Sequence, residues 1–318
     1  MKFAVRLNSF KTHLFFNSNE HPLSTLDYIK RMSAVKGLTH IELNYPEHFQ
    51  GVSAEEIKQS LKKNHLKLSG VALRFKKNYA YGEFTNPDAG IREQAIQETI
   101  QAIEKCQALG GEITTIWLAN DGFDYPFQLD YNQALAQEVD VLKRITSQFP
   151  DRKISLEYKP YQPRTFSLIG DIGTTLLVLD EVGSPNLGVT LDFCHMLMKK
   201  ENPAYSLAWA ARKKRLMGFH LNDGYNDNDD GLMLGTVHLL QTLEFIYYAK
   251  LYNYTGVNYF DTFPVRENPV QECEQNIKMY KTLEQFIDTV GLETVKQLIQ
   301  EGDALKVQKL FLQLIQPN

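Results

Sequence analysis

Cysteine is scarce in this chain. The three residues, Cys106, Cys194 and Cys273, are odd in number, far apart, and never form a Cys-x-x-Cys pair. That argues against a disulfide scaffold and suits a reducing compartment. Long apolar runs are lacking as well. No stretch reaches the roughly 18 apolar residues of a membrane span, and the opening MKFAVRLNSF has no apolar signal core, so a cytoplasmic chain with no membrane partner is expected. Net charge is small: 34 basic against 38 acidic residues give −4, with no long basic run. A nucleic-acid partner is therefore not expected. Finally, there is no Gly-x-Gly-x-x-Gly, the phosphate fingerprint that an open dinucleotide-binding sheet usually carries after its first strand.

What is present is an alternation. Short apolar, β-branched segments occur at 2–7, 38–45, 67–75, 112–119, 153–159, 187–193, 216–222 and 255–261. They are mostly apolar on both faces, as buried parallel strands should be. Segments with helical spacing lie between and after them, at 93–111, 131–149, 173–183, 236–253 and 268–291, the first stopping at Gly110–Gly111. Eight strands alternating with helices predict a (β/α)8 TIM barrel. No low-complexity linker divides the chain, so residues 1–290 read as one barrel. Residues 291–318 read as a C-terminal helical extension, packed on the barrel or on a partner subunit of a homo-oligomer, dimer or tetramer.

In such a barrel the chemistry sits where strands end and the following loops begin. Those positions hold Glu157, Asp192, His220 and Asp261, spaced by 35, 28 and 41 residues, about one strand–helix unit each. A lone strand-end acid is commonly a helix cap, and a lone His in an apolar strand is commonly a satisfied core residue. Four such groups, one per consecutive strand, instead make a hard, oxygen-rich donor set for a divalent metal, Mn²⁺ first, with Mg²⁺, Co²⁺ or Zn²⁺ as alternatives. His195, three residues beyond Asp192, is a candidate for a second ion. Lys159 shares a strand face with Glu157, so it either contacts substrate oxygens or pairs with a neighbouring carboxylate. Cys194 has no second His beside it to serve as a base and is not read as a nucleophile.

The segments EYKPYQP (157–163), LDFCHMLM (191–198), HLND (220–223) and FDTFP (260–264) resemble the xylose-isomerase-like superfamily of sugar isomerases and epimerases. The Glu-x-Lys-Pro and Asp-x-x-His motifs, with IWLANDGFDYPFQ (116–128), are most similar to its L-rhamnose isomerase branch. The resemblance implies that Glu157, Asp192, His220 and Asp261 hold one metal. It implies a second held by His195 and an Asp-x-Asp pair in the loop after His220, with Glu157 bridging the two. It further implies that Lys159 contacts the sugar and that Trp117 shields the transferring hydrogen. Where sugar isomerases often place a His on an early strand, the early strand ends here offer Asn8, Glu42, Asn44 and Arg74, of which Asn44 and Arg74 become substrate-binding candidates. Epimerases of the superfamily typically carry Glu on strand eight. Asp261 is shorter, which favours aldose–ketose isomerisation by hydrogen transfer between C1 and C2. The alternatives are a ketose 3-epimerase, an inosose dehydratase-like enzyme, and a non-catalytic sugar-binding barrel.

One loop stays open in register. GFHLNDGYNDNDDGL (218–232) fails as an EF-hand, because Val237 falls where a bidentate Glu is needed. Asp227 and Asp229 form its only Asp-x-Asp, whereas counting from His220 favours Asn228 with Asp230. Counting back from LMLG favours Asp229, the best single second-metal candidate.

Overall fold

In the computed structural model of the chain, eight parallel strands close into a barrel. They are β1 (Lys2–Val5), β2 (His40–Tyr45), β3 (Lys67–Arg74), β4 (Ile113–Trp117), β5 (Lys153–Glu157), β6 (Leu187–Asp192), β7 (Leu216–Leu221) and β8 (Val257–Phe260). The structure describes residues 1–11, 23–75, 77–162 and 164–315. Pro163, which ends the 157–163 motif, and residues 316–318 of the extension lie outside the described residues. From β2 to β8 each strand pairs in parallel with the next, and β8 returns to β1 with Tyr259 opposite Ala4. The seam between β1 and β2 is closed by Thr39, whose amide donates to the Phe3 carbonyl at 3.1 Å, and by a parallel bridge from Arg6 to Glu42.

All eight expected strands are present, each ending one to three residues early or starting late. Lys159 and Asp261 therefore stand just past their strands, in the loops.

The helices are α1 (Thr25–Met32), α2 (Ala54–Lys63), α3 (Ala89–Ala108), α4 (Tyr131–Gln148), α5 (Ile172–Val182), α6 (Phe193–Met198), α7 (Pro203–Arg212), α8 (Leu239–Leu251), α9 (Pro269–Val290), α10 (Leu292–Glu301) and α11 (Ala304–Ile315). Polar side chains start most of them. Ser24 and Ser53 form capping boxes with Asp27 and Glu56, and Asp88, Asp130, Asp171, Asp192, Asn202 and Asn268 each accept amide hydrogens of a first turn. Gly183 ends α5 at φ 71°, the left-handed conformation that favours glycine. Helices α1, α2, α6 and α7 are shorter than the apolar repeats that reveal helices in sequence. α2, for example, buries only Ile57 and Leu61. Helices α10 and α11 lay Leu292, Val295, Phe311 and Leu314 against the core. Among the described residues, no helix is long and apolar enough to cross a membrane.

The core is continuous between the strands and their helices, but the barrel interior is polar for part of its height. The Ser155 hydroxyl lies 2.7 Å from that of Thr190 and 3.2 Å from that of Thr115. Above this hydroxyl layer, at the C-terminal rim, the acidic and imidazole side chains begin.

Candidate metal centre

Four consecutive strands aim their last residues at one point. Glu157 ends β5, Asp192 ends β6, His220 lies one residue from the end of β7, and Asp261 follows β8. All four are buried, and each offers a ligand atom within 4.8 Å of the others. His220 Nδ1 stands 3.2 Å from Glu157 Oε1 and 4.0 Å from Asp192 Oδ2. The register explains the convergence: Asp192 pairs across to His220, and Glu157 to Thr190, so the side chains meet on one level of the rim.

A second group of Asp192, His195 and Asp229 adjoins the first. Asp192 caps α6 by accepting the His195 amide at 3.0 Å, which turns the His195 ring back towards the rim. Its Nδ1 lies 3.7 Å from Glu157 Oε1 and 3.9 Å from Asp192 Oδ1, while its Nε2 lies 3.3 Å from Asp229 Oδ2. The residue common to both groups is thus Asp192, where the resemblance implied Glu157. Lys159 Nζ pairs with Asp229 Oδ2 at 3.0 Å and stands 5.6 Å from the centre of the Trp117 ring. Arg74 covers the same ring at 4.6 Å, with an amino group 3.7 Å from Glu157 Oε2. Asn44 lies on β2 two residues beyond Glu42 and so faces the same side of its strand.

The acidic loop separates into distinct tasks. Asp223 is structural: it accepts the amides of Val237 and His238, and its Oδ1 lies 2.8 Å from His238 Nδ1, which closes the loop at its base. Asp230 accepts the Tyr225 amide. Asp227, expected as a second-metal ligand, is exposed, and its carbonyl accepts from the Tyr161 hydroxyl. The loop turns Asp227 outward and leaves Asp229 facing the rim. Gly231 fixes that course: at φ 59° it lies against the Phe263 ring, where any Cβ would collide.

Further partners stand behind these ligands. Arg6, at the exit of β1, sits 3.5 Å from Asp261 Oδ1 and lies over the Phe263 ring. Asn222 donates to both Asp192 oxygens and to the Asp261 carbonyl, and accepts the Cys194 amide. It is two residues past His220, a strand-face spacing that could have revealed it. Glu42 Oε1 lies 3.5 Å from His220 Nε2. The Cys194 thiol is raised above its ordinary range by burial and by Asp192, which leaves it inert as a nucleophile.

The electrostatics are those of a desolvated acid cluster. Burial alone would raise Glu157, but His220 and then Arg74 outweigh it and hold the carboxyl well below its usual range. Burial, opposed by His195, pushes Asp192 up to about 7. Asp261 is raised by burial too, against Arg6 and His220. Burial disfavours the His220 imidazolium, yet Glu157 and Glu42 more than compensate and raise it. Both Glu157 oxygens, Asp261 Oδ1, Asp229 Oδ1 and the Nδ1 atoms of His195 and His220 are buried with no hydrogen-bond partner among the described residues. Buried polar atoms normally find partners. Lone-pair atoms converging from several strands without any are the donor set a divalent cation requires, and the residues fit one.

A model of the xylose isomerase-like TIM barrel matches residues 31–283. The chain belongs to that family. A probable sugar isomerase of Mesorhizobium japonicum is 30% identical over 161 residues, which cover 49% of this chain and 36% of that protein. The xylose isomerase of Thermus thermophilus is 23% identical over 217 residues, covering 66% of this chain and 56% of its own. The chain therefore spans from about a third to just over half of these relatives' length. Among solved structures, a D-tagatose 3-epimerase-like protein matches with a TM-score of 0.69 at 17% identity, over 92% of this xylose isomerase-like barrel and 100% of that chain. The D-allulose 3-epimerase from Methylomonas sp. in complex with D-allulose matches at 0.70 and 18% identity, over 88% and 96%. At those identities the likeness is one of fold.

Proposed function

We propose that this barrel is a divalent-metal-dependent aldose–ketose isomerase that moves hydrogen between C1 and C2 of a free monosaccharide. The observation that carries the reading is the set of unpartnered, buried donor atoms on Glu157, Asp261 and His220, gathered with Asp192 within 4.8 Å. These four would hold one ion, with Mn²⁺ the first candidate, and Asp192, His195 and Asp229 would hold a second. A bound ion supplies Lewis-acid polarisation of adjacent substrate oxygens. Lys159, held by Asp229, is placed to donate to a substrate oxygen and to steady charge that develops there. Trp117, covered by Arg74, offers an apolar wall that keeps water from the transferring hydrogen. Arg74 and Asn44 stand on the early strands, ready for the remaining hydroxyls.

The narrower likeness to L-rhamnose isomerase rests on the 157–163 and 191–198 motifs. Isomerisation is favoured over epimerisation because an epimerase needs a mobile base on each sugar face. Asp261 is short, and Arg6 engages it at 3.5 Å. The second reading, a ketose 3-epimerase, is favoured by the likeness in fold to the two epimerase structures.

A panel of aldoses and ketoses with Mn²⁺, read by NMR in D₂O, tests the proposal. The expected result is aldose–ketose interconversion that is lost on chelation and in Glu157→Gln. Deuterium entering at C3 with a ketose product assigns the epimerase instead. A wild-type chain that binds no metal, with Glu157→Gln as active as wild type, sinks both.

A further inference from the structure

We propose that Glu42 is a positioning residue that fixes the ring of His220 for metal binding. The inference rests on the metal-site reading above. His220 turns Nδ1 to Glu157 and Asp192, which leaves Nε2 facing Glu42 Oε1 at 3.5 Å. An imidazole that binds metal through one nitrogen commonly gives the other N–H to a carboxylate, which sets its tautomer and strengthens it as a ligand. Glu42 is the carboxylate on that side, and its Oε1 is buried without a hydrogen-bond partner among the described residues. Tyr259 packs on the same imidazole with ring centroids 4.6 Å apart, so the ring is held from its face as well as its edge.

Two further observations show that the position of Glu42 is built into the barrel. A Cβ on Gly70, the β3 residue paired with Glu42, would collide with the Ile113 carbonyl and touch Glu42 Oε2 at 3.5 Å. The Ile113 carbonyl requires glycine there, and the Glu42 carboxylate lies beside it at ordinary contact distance. Below it, a cavity of about 360 Å³ opens at the N-terminal face beside Lys2, Glu112 and Lys153 and runs up to Glu42, His220 and Tyr259. A TIM barrel interior is ordinarily packed solid. Here Ser69, Thr115 and Thr190 line a polar shaft roomy enough for water. The shaft reaches the side of Glu42 and His220 that lies away from the metal-ligand cluster.

The experiment compares wild type, Glu42→Ala and Glu42→Gln as full-length chains by Mn²⁺ titration. It adds ¹⁵N–¹H spectra of histidine-labelled protein saturated with Mg²⁺ at one fixed pH. Wild type should show a slowly exchanging, downfield Nε2–H on His220. Glu42→Ala should lose that resonance and weaken Mn²⁺ binding about 10–100-fold. Glu42→Gln, which keeps an acceptor but not the charge, should retain the resonance and fall between. Should Glu42→Ala fail to fold, the near-isosteric Glu42→Gln carries the comparison, and binding within about twofold of wild type overturns the proposal. Weakened binding in Glu42→Ala with the His220 resonance unchanged also overturns it, as does equal loss of the resonance in both variants. Wild type that binds Mn²⁺ but turns over no sugar removes the isomerase reading only, since both readouts here are independent of turnover.

Discussion

Asn222 grips Asp192 through one amide nitrogen, which lies 3.3 and 3.2 Å from the two carboxylate oxygens. The same nitrogen reaches the Asp261 carbonyl at 3.2 Å, so one buried side chain ties the ends of β6, β7 and β8 together. Asn222→Ala should weaken Mn²⁺ binding about 10–100-fold, as loss of a partner behind a ligand does. It should also cost about 1–3 kcal/mol of stability, because the buried Cys194 amide loses its acceptor. Calorimetric titration and urea melts measure the two effects. Unchanged affinity would mean that Asp192 needs no such support.

Asp229 belongs only to the second group, with His195 and Asp192. Asp229→Asn should therefore lower the Mn²⁺ stoichiometry from two ions per chain to one, with the tighter ion retained. It should also free Lys159, whose Nζ is 3.0 Å from Asp229 Oδ2. Metal analysis of dialysed protein decides the point, since one ion in both proteins would reduce Asp229 to an anchor for Lys159.

Much of this site was legible because the chemistry follows the strand period. Glu157, Asp192, His220 and Asp261 stand one per strand end, and short apolar runs marked the strands. The loop behind His220 was less legible. Its acids differ by what their neighbours do: the backbone at Val237 and His238 claims Asp223, and the amide of Tyr225 claims Asp230. Those contacts arise from a loop closed between residues 223 and 232, a pairing no local pattern announces. Arg6 was hidden for a related reason, because it meets Asp261 from the far end of the chain. Glu42 stood at an early strand end, but no local pattern announces that its carboxylate reaches His220 across the barrel.

Asp261 is raised by burial despite Arg6 and His220, so it stabilises the fold little as a charge. Its backbone amide, which donates to Leu221, is untouched by a side-chain change. Asp261→Asn should thus melt like wild type while losing more than about 100-fold in turnover, a larger loss than removal of a partner behind a ligand gives. Circular dichroism and a sugar assay check the pair of outcomes. Near-native rates would remove Asp261 from the ligand set.

Glu272, in the first turn of α9, gives a test of stability away from the site. Burial, opposed by Thr262 and Asn276, pushes it from an ordinary 4.5 up to about 7, and one of its oxygens has no hydrogen-bond partner among the described residues. The folded-state value lies above the unfolded one, so the folded chain holds the proton more tightly. Stability from this group is therefore fully present below pH 4.5 and is lost as pH rises to 7, by about 3 kcal/mol in all. Glu272→Gln keeps an acceptor for Asn276, whose amide donates to the carboxylate at 2.7 Å, and has no charge to desolvate. Urea denaturation should find it little changed at pH 4.5 and more stable than wild type at pH 8 by up to that amount. A difference that does not vary with pH would show that Glu272 titrates in the folded protein as it does in the unfolded chain.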